Sequence, residues 1–364
     1  MLTLLKKAEC FCPAYRGKND ILISNGKICG IQPEIRIDTG FAEKIYDCGG
    51  LFAFPGIIDQ HLHITGGGGE GGFGSGIAGI EAEKVFGVGI TTVVGLLGAD
   101  GFTKSVEGLY AKAKALETGG LSTYIYCGSY TLPPATITGS VIRDLIFIDK
   151  VIGVKIAVSD HRSSHPDKTE LTKIACEAHL GGMLSGKAGV THIHIGDGRG
   201  GLSPLFELLE SCDLPKRRFV PTHLNRSRRV FEQAKRYCKS GGNIDLTAGE
   251  TTGIPVPDAV SELVNKKIDL DSVTVSSDAN GSTPDGGAGN PMSLYKDIVD
   301  CIRQKIIPPE IAFSLVTANP ARILGLSAEK GRLAVGADAD ILITDRDFEI
   351  KKVFCKGRLM VENK

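Results

Sequence analysis

The amino-acid sequence predicts an α/β fold: a (β/α)8 TIM-type barrel joined to a small β domain built from both chain ends. From Leu51 onward, apolar β-rich runs alternate with stretches of helical period, the pattern of a parallel sheet with crossover helices. Eight such runs are present, which is the number of strands in this barrel. The two chain ends instead carry short strand patterns around turn signals.

The predicted barrel strands are apolar enough to be buried on both faces of a parallel sheet. They cover residues 54–63, 90–97, 123–130, 153–159, 190–196, 219–224, 243–248 and 273–278. Amphipathic helices are predicted between several of these strands. They cover residues 104–116, 170–184, 203–212, 227–240 and 258–266.

The small β domain is predicted from two hairpin signals. Residues 20–30 contain two alternating runs around Asn25-Gly26, the strongest short signal for a hairpin. Near the carboxyl end, residues 336–344 and 351–361 are strand patterns, with a turn at Lys356-Gly357. We expect residues 1–53 and 328–364 to form one β domain, with the barrel of residues 54–327 inserted between them.

Composition predicts a globular protein that acts on a small molecule. The 364 residues are 42% hydrophobic, enough for a barrel of about 250 residues and a smaller domain. Because 42 basic residues balance 42 acidic ones, the charge suggests neither a nucleic-acid nor a membrane partner. No run of ~18 apolar residues and no signal-peptide pattern is present, so we expect a cytoplasmic protein.

Five of the eight predicted strands carry candidate metal ligands, and a barrel brings its strand ends around one mouth. His61 and His63 are separated by one residue, so both face the same side of the first strand. Each candidate alone has a structural explanation, such as a hydrogen-bonded core histidine or a capping aspartate. Together they predict a metal centre with the ligands His61, His63, Lys155, His194, His223 and Asp278.

Lys155 lies within an apolar strand, where an unpaired ammonium is costly. A neutral lysine can react with CO2 to give a carbamate, whose carboxylate can bridge two divalent ions; the alternative is a lysine that points outward or forms an ion pair. Four imidazoles, the carbamate and Asp278 suit two zinc-like ions that make hydroxide available near neutral pH. Asp278 would act as general base and then acid in hydrolysis of a carbonyl–nitrogen bond.

This ligand pattern resembles that of the amidohydrolase superfamily over nearly the whole chain. Motifs at residues 59–70, 91–98, 136–140, 159–163, 221–226 and 276–282 are similar to those of its isoaspartyl (β-aspartyl) dipeptidase branch. The resemblance implies a zinc metallopeptidase that hydrolyses β-aspartyl dipeptides with a hydroxide bridging two zinc ions. It also implies Lys155 as N6-carboxylysine, formed with CO2 or bicarbonate, and a homo-oligomer, with an octamer among the assemblies it allows.

The same resemblance implies the substrate contacts. Glu70 would pair with the free α-amino group of the substrate, and the glycine run at residues 66–69 would bring backbone such as Gly68 close to it. Without the resemblance, the glycine run is a flexible linker and the arginines are solvated surface residues. The remaining implied contacts are Arg162, Arg226 and Ser282 with carboxylate and Tyr130 with the carbonyl oxygen.

Two departures from the resemblance affect selectivity, and two other functions stay open. Ala99 stands where we expect the family to offer a threonine hydroxyl, and the loop at residues 283–290 is shorter than expected. A ring-opening cyclic amidohydrolase, similar to hydantoinase or dihydropyrimidinase, is the first alternative and would not need an amine-binding Glu70. A catalytically silent scaffold that keeps the barrel for assembly is the second.

Overall fold

The computed structural model describes residues 2–37, 44–283 and 287–363. Within these, the strands are β1 Leu2–Phe11, β2 Tyr15–Ser24, β3 Lys27–Gln32, β4 Lys44–Asp47, β5 Phe52–Pro55, β6 Ile57–Leu62, β7 Ile90–Gly95, β8 Ser122–Gly128, β9 Val151–Val158, β10 Val190–Ile195, β11 Phe219–Thr222, β12 Ile244–Thr247, β13 Val273–Ser276, β14 Ile341–Thr344, β15 Ile350–Cys355 and β16 Arg358–Glu362.

The α-helices of the described residues follow most of the barrel strands. They are α1 Ala82–Phe86, α2 Val106–Thr118, α3 Val141–Phe147, α4 Lys168–Ser185, α5 Ser203–Leu209, α6 Arg228–Lys239, α7 Val256–Asn265, α8 Pro291–Arg303, α9 Pro309–Ser314 and α10 Ala318–Ile323. No helix in this part of the chain is both long and apolar enough to span a membrane.

Strands β6 to β13 form a closed parallel barrel, which confirms the predicted fold class. Strands β6 to β11 are neighbours in chain order, and β12 pairs with β13. The Leu224 N–H donates to the Asp245 carbonyl over 3.2 Å and joins β11 to β12. The His63 N–H donates to the Ala279 carbonyl over 3.0 Å and joins β6 to the segment after β13. Barrel strands such as β6, β7, β9 and β10 are buried at every position, because helices cover them outside and side chains fill them inside.

Local sequence explains where the longest helix, α4, begins and ends. The Asp167 carboxylate accepts a hydrogen bond from the Glu170 N–H over 2.8 Å, and the Glu170 carboxylate accepts one from the Asp167 N–H over 2.9 Å. This reciprocal capping box satisfies N–H groups that have no partner within the helix. Gly186, at a φ of 69°, ends the helix in a left-handed conformation that glycine adopts at little cost.

The second sheet contains strands from both chain ends, in the order β16-β15-β14-β5-β1-β2-β3, with β4 also paired to β1. Both predicted hairpins are present. Asn25 and Gly26 turn with φ of 48° and 77°, and Lys356 and Gly357 with φ of 45° and 73°. Two successive positive φ values match the twist of antiparallel strands. The division of the chain at residues 53/54 and 327/328 stays a prediction.

The first predicted strand, residues 54–63, is two strands in the structure. Pro55 pairs with Ile341 in the small sheet, whereas Ile57 pairs with Ile90 in the barrel. Gly56 lies between them, and a Cβ atom there would be 2.2 Å from Thr91 Oγ1. The Thr91 side chain therefore leaves no room for a Cβ atom at residue 56, and glycine lets the chain pass from one sheet to the other there.

Lys330 joins the barrel to the small sheet. Its ammonium nitrogen lies 2.6 Å from both the Asp338 and the Asp340 carboxylates, and it donates a hydrogen bond to Ser122 Oγ at the start of β8. Only 3% of the lysine is exposed. A buried cation with two carboxylate partners is stable only while these partners remain in place.

Replacing Lys330 by methionine should lower the free energy of unfolding at pH 7 by about 3–5 kcal/mol, because two buried carboxylates lose their shared cation. Lys114→Met is the matched control, since Lys114 forms an exposed ion pair with Glu117 and should change stability by no more than about 1 kcal/mol. Denaturant unfolding followed by circular dichroism would measure both. Equal effects of the two changes would contradict the role of Lys330.

The same ion pairs set a pH dependence. Burial alone would raise the pKa of Asp338, but Lys330 and Lys27 hold this pKa below its ordinary value. The ionised Asp338 carboxylate therefore stabilises the folded protein above about pH 4, the ordinary pKa of an unfolded aspartate. This stabilisation is lost as the pH falls through the lower pKa of Asp338 in the folded protein. In Lys330→Met the Asp338 carboxylate loses one of its two cations, and burial then favours its protonated form. The difference in free energy of unfolding between wild type and variant should therefore narrow as the pH falls from 7 to 5. A gap that stays constant would contradict this assignment.

Candidate active site

The two histidines of the first barrel strand face Asp278 across the mouth. His61 and His63 are 1% and 5% exposed, and their Nε2 atoms lie 3.1 and 3.3 Å from Asp278 Oδ1. Asp278 follows β13 at a φ of 48°, and its N–H donates to the His61 carbonyl over 3.1 Å. This second backbone bond between β6 and the segment after β13 thus places the carboxylate beside the histidine pair.

His223 lies just after β11 and completes a compact group. Its Nδ1 atom is 2.7 Å from Thr247 Oγ1 and 3.9 Å from Asp278 Oδ2. Candidate ligand atoms of His61, His223 and Asp278 all lie within 4.8 Å of one another. The structure therefore brings three of the six predicted ligands within reach of a single ion.

His194 lies beside this group, with both ring nitrogens in contact with other residues. Nε2 is 2.8 Å from Asp160 Oδ2 and Nδ1 is 2.6 Å from the Tyr130 hydroxyl. Its ring centroid is 4.6 Å from that of His223. An ionised carboxylate can only accept a hydrogen bond, so Asp160 selects the tautomer in which Nε2 carries the proton and Nδ1 keeps its lone pair. The lone pair on Nδ1 now accepts a hydrogen bond from the Tyr130 hydroxyl. Nδ1 is therefore the atom of His194 that could bind a metal.

Lys155 points into the barrel and not outward, which excludes the first structural alternative for it. It is fully buried in β9, with its ammonium nitrogen 3.3 Å from His61 Nε2. Among the described residues, no carboxylate lies within 4.0 Å of this nitrogen, so the ion-pair alternative is also absent there. Burial lowers the pKa of Lys155 to about 7, which makes the neutral amine accessible near neutral pH.

The protonation states of this cluster fit a divalent cation. Burial lowers the pKa of His61 to about 3, and it lowers the pKa of His194 and His223 well below the ordinary value, so these imidazoles are neutral. Burial would raise the pKa of Asp278, but His61 and His223 hold it well below its ordinary value. Neutral imidazoles and an ionised carboxylate are the forms that bind metal.

One buried acceptor atom at the mouth lacks a partner that a cation would supply. Among the described residues, Asp278 Oδ1 makes no hydrogen bond of acceptable geometry. Asp278 Oδ1 nevertheless lies near two imidazole nitrogens, a close approach of acceptor atoms that a shared positive ion would stabilise. The residues of the mouth therefore fit a metal centre of nitrogen and oxygen ligands.

The predicted substrate residues line one pocket above this centre. Glu70 accepts hydrogen bonds from Arg162 over 2.9 Å and from the Ser282 hydroxyl over 2.8 Å. Gly68, at a φ of 76°, lies at the same pocket, and a Cβ there would be 2.7 Å from the Ser75 carbonyl. The pocket is lined by His63, Gly68, Glu70, Gly98, Ala99, Tyr130, Arg162, His194, Arg226, Asp278, Gly281 and Ser282.

The two arginines sit differently in the pocket. Arg162 donates two hydrogen bonds to the Asp160 carboxylate, over 2.9 and 2.8 Å, and stacks over the Tyr130 ring at 5.2 Å. Arg226 donates to the Ile195 carbonyl over 3.1 Å and lies 3.8 Å from the exposed carboxylate of Asp197. Arg162 is thus fixed in place, whereas Arg226 has weaker partners and more freedom to bind an anion.

Sequence reasoning did not assign three residues that orient the ligands. Asp160 holds His194, Thr247 contacts His223, and His192 lies 2.8 Å from His61 Nδ1. His192 and His194 are spaced as His61 and His63 are, so the period-2 pattern offered a signal for His192. Ala99 lines the pocket, but its effect stays a prediction, and residues 284–286 of the shortened loop lie outside the described residues.

Comparison with known proteins agrees with the fold and the site. The model of the amidohydrolase family matches residues 52–360. The chain therefore belongs to the amidohydrolase family, whose members are metal-dependent hydrolases.

Within that family, the chain is similar over its full length to a solved structure of high sequence identity. It is β-aspartyl dipeptidase from the thermophilic, keratin-degrading Fervidobacterium islandicum AW-1 in complex with the dipeptide β-Asp-Leu. The two proteins are 43% identical with a TM-score of 0.93, over 100% of this chain and 97% of that chain.

More distant relatives are similar at lower sequence identity or over a shorter part of the chain. D-hydantoinase is 17% identical with a TM-score of 0.72, over 100% of this chain and 95% of that one, and shows the fold alone. N-acetylglucosamine-6-phosphate deacetylase from Vibrio furnissii is 29% identical over 133 residues, 36% of this chain. That match spans only 32% of the deacetylase, about a third of its length.

Proposed function

We propose that this protein is a metal-dependent dipeptidase that hydrolyses β-aspartyl (isoaspartyl) dipeptides. The full-length likeness to a dipeptidase bound to β-Asp-Leu carries the proposal. The pocket supports it, because a carboxylate and two arginines stand beside the candidate metal ligands. A β-aspartyl dipeptide offers one amine and two carboxylates to such a set of charges.

We further propose two zinc ions per subunit, held by His61, His63, His194, His223 and Asp278 and bridged by carboxylated Lys155. The neutral lysine amine attacks CO2, forms a carbon–nitrogen bond and releases one proton, which leaves an anionic carbamate. The buried amine with its lowered pKa supports this reaction. The bound ions would lower the pKa of a water molecule and polarise the carbonyl of the scissile bond.

Asp278 and Tyr130 would carry out the proton transfer and stabilise charge. Asp278 faces the histidine pair as a carboxylate, so it can take a proton from the attacking water and deliver it to the leaving amine. Burial raises the pKa of Tyr130 above its ordinary value, so its hydroxyl stays protonated. It can then turn from His194 Nδ1 to donate a hydrogen bond to the carbonyl oxygen as negative charge develops.

The charged groups of the pocket would fix the two ends of the substrate. Glu70 would accept from the substrate α-amino group in place of Arg162 and Ser282, which now donate to it. Arg162, Arg226 and Ser282 would bind substrate carboxylate, with Gly68 allowing close backbone approach. An exchange of this kind keeps Glu70 and Arg162 paired before and after binding.

Replacing Glu70 by glutamine should lower kcat/KM for β-Asp-Leu by roughly 10- to 100-fold, mainly through KM. A hydrogen bond to a charged group contributes about 1.5–3 kcal/mol, and the amide keeps the shape of the side chain but not its charge. Steady-state kinetics would measure the loss. Glu107→Gln, on an exposed position of α2, is the matched control and should be silent.

The same variant separates the alternatives. Glu70→Gln with full activity on a hydantoin or dihydropyrimidine, and no wild-type activity on β-Asp-Leu, would favour a ring-opening amidohydrolase. A wild-type protein that retains less than about one zinc per chain without chelators would favour a silent scaffold. A homo-oligomer and a cytoplasmic location stay predictions, which light scattering and cell fractionation would test.

A further inference from the structure

His192 is a fully buried histidine with no place in the proposed ligand set. It lies in β10 two residues before His194, and it is the register partner of Lys155 on the neighbouring strand β9. Its side chain therefore points into the barrel, one layer below the mouth. There its Nε2 atom lies 2.8 Å from His61 Nδ1, and its ring stacks on Tyr126 at a centroid distance of 4.9 Å.

Packing alone does not account for this residue. Among the described residues, His192 Nδ1 and the Tyr126 hydroxyl are both buried without a hydrogen-bond partner. An unsatisfied buried polar atom costs about 1–3 kcal/mol, and a phenylalanine could stack on Tyr126 without that cost. Only the contact with His61 uses the chemistry of the imidazole.

That contact determines which nitrogen of His61 carries the proton. A hydrogen bond between two neutral imidazoles needs one N–H and one lone pair. Nε2 of His61 faces Lys155 and Asp278 at 3.3 and 3.1 Å, so it is the nitrogen directed at the metal centre. A metal ligand must present a lone pair, which leaves the proton on Nδ1, and Nδ1 can then only donate to His192.

We propose that His192 is a positioning residue of the metal centre: it accepts the Nδ1–H of His61 and so holds the ring and tautomer that present Nε2 to the metal. The inference rests on the metal centre of the proposed function. Histidines that bind a metal commonly donate the N–H of their other ring nitrogen to a carboxylate, a carbonyl or water. Here a second imidazole takes that place, between the ligand and the aromatic ring of Tyr126.

Replacing His192 by phenylalanine should weaken zinc binding about 10- to 100-fold, the usual cost of losing such a partner. Phenylalanine keeps the ring that stacks on Tyr126 but accepts no hydrogen bond. Glutamine places an amide oxygen near the position of Nε2, so His192→Gln should recover most of the affinity. His179→Phe is the matched control, because His179 lies on α4 away from the mouth and should bind zinc as wild type does.

Transfer of zinc from each loaded, full-length protein to a competing chromophoric chelator would measure the affinity. KM for β-Asp-Leu at saturating zinc should stay within about 2-fold of wild type, because His192 does not line the substrate pocket. His192→Phe with wild-type zinc affinity would overturn the inference. Wild-type protein that binds no zinc would instead overturn the metal centre itself.

A second measurement does not depend on the variant folding. Nitrogen-15 NMR of the histidine side chains in the zinc-loaded wild type should show His61 protonated on Nδ1 and His192 unprotonated on Nε2. A proton on His192 Nε2 in the loaded protein would reverse the donor and overturn the inference.

Discussion

Replacing Asp278 by asparagine should lower kcat/KM for β-Asp-Leu by about 10²- to 10⁴-fold, the usual contribution of a positioned general acid–base residue. The carboxylate is ionised and faces His61 and His63, whereas the amide has the same shape but cannot take up a proton at neutral pH. The loss should appear in kcat, because Asp278 acts on the reacting water and leaving amine more than on the bound substrate.

Zinc content must accompany this measurement, since Asp278 is also a proposed ligand. We expect Asp278→Asn to keep at least one zinc ion per chain through its histidines and to remain slow at saturating zinc. Asp258→Asn, at an exposed position of α7, controls for the substitution itself and should be silent. Asp278→Asn with kcat within about 10-fold of wild type would remove the residue from the proton transfer.

Replacing Lys155 by alanine should abolish most activity. The loss should exceed the roughly 100-fold that can follow removal of a residue that only hydrogen-bonds to a metal ligand. The change removes the carbamate that would bridge both ions and leaves a cavity beside His61. Acetate or propionate, added with bicarbonate, should restore part of the activity, because a free carboxylate can enter the cavity and bridge the ions.

The rescue separates a carbamate from a purely structural lysine. Lys150→Ala is the matched control, since Lys150 is also buried and precedes β9 but is paired with Glu117. Its loss should destabilise the fold without any response to short carboxylic acids. No rescue of Lys155→Ala while zinc remains bound at both positions would contradict carboxylation of Lys155.

Most of the architecture was predictable because it depends on local sequence periodicity. Apolar runs mark all eight barrel strands, and Asn25-Gly26 and Lys356-Gly357 mark both hairpins, since successive positive φ values suit few residues. The error at residues 54–63 has a nonlocal cause. The break at Gly56 follows from its contact with Thr91 on the next barrel strand, which no local pattern encodes.

The sequence predicted which strand ends meet at the site. It did not predict which side-chain atoms contact each other there. The convergence of His61, His63 and Asp278 follows from barrel topology. The pairing of Arg162 with Glu70 and the contact of His192 with His61 depend on side-chain positions from strands far apart in sequence. Side-chain periodicity gives the face on which a residue lies, and tertiary packing decides its partner.

Kinetics of the zinc-loaded, full-length wild type on matched substrates tests the central claim most directly. The substrates are β-Asp-Leu, α-Asp-Leu and a cyclic amide such as hydantoin, compared by kcat/KM under one set of conditions. The proposed function predicts that β-Asp-Leu is hydrolysed at least about 100-fold more efficiently than the other two, since pocket groups left unpaired by a wrong substrate are costly. Turnover of β-Asp-Leu no faster than that of α-Asp-Leu or the cyclic amide would contradict it.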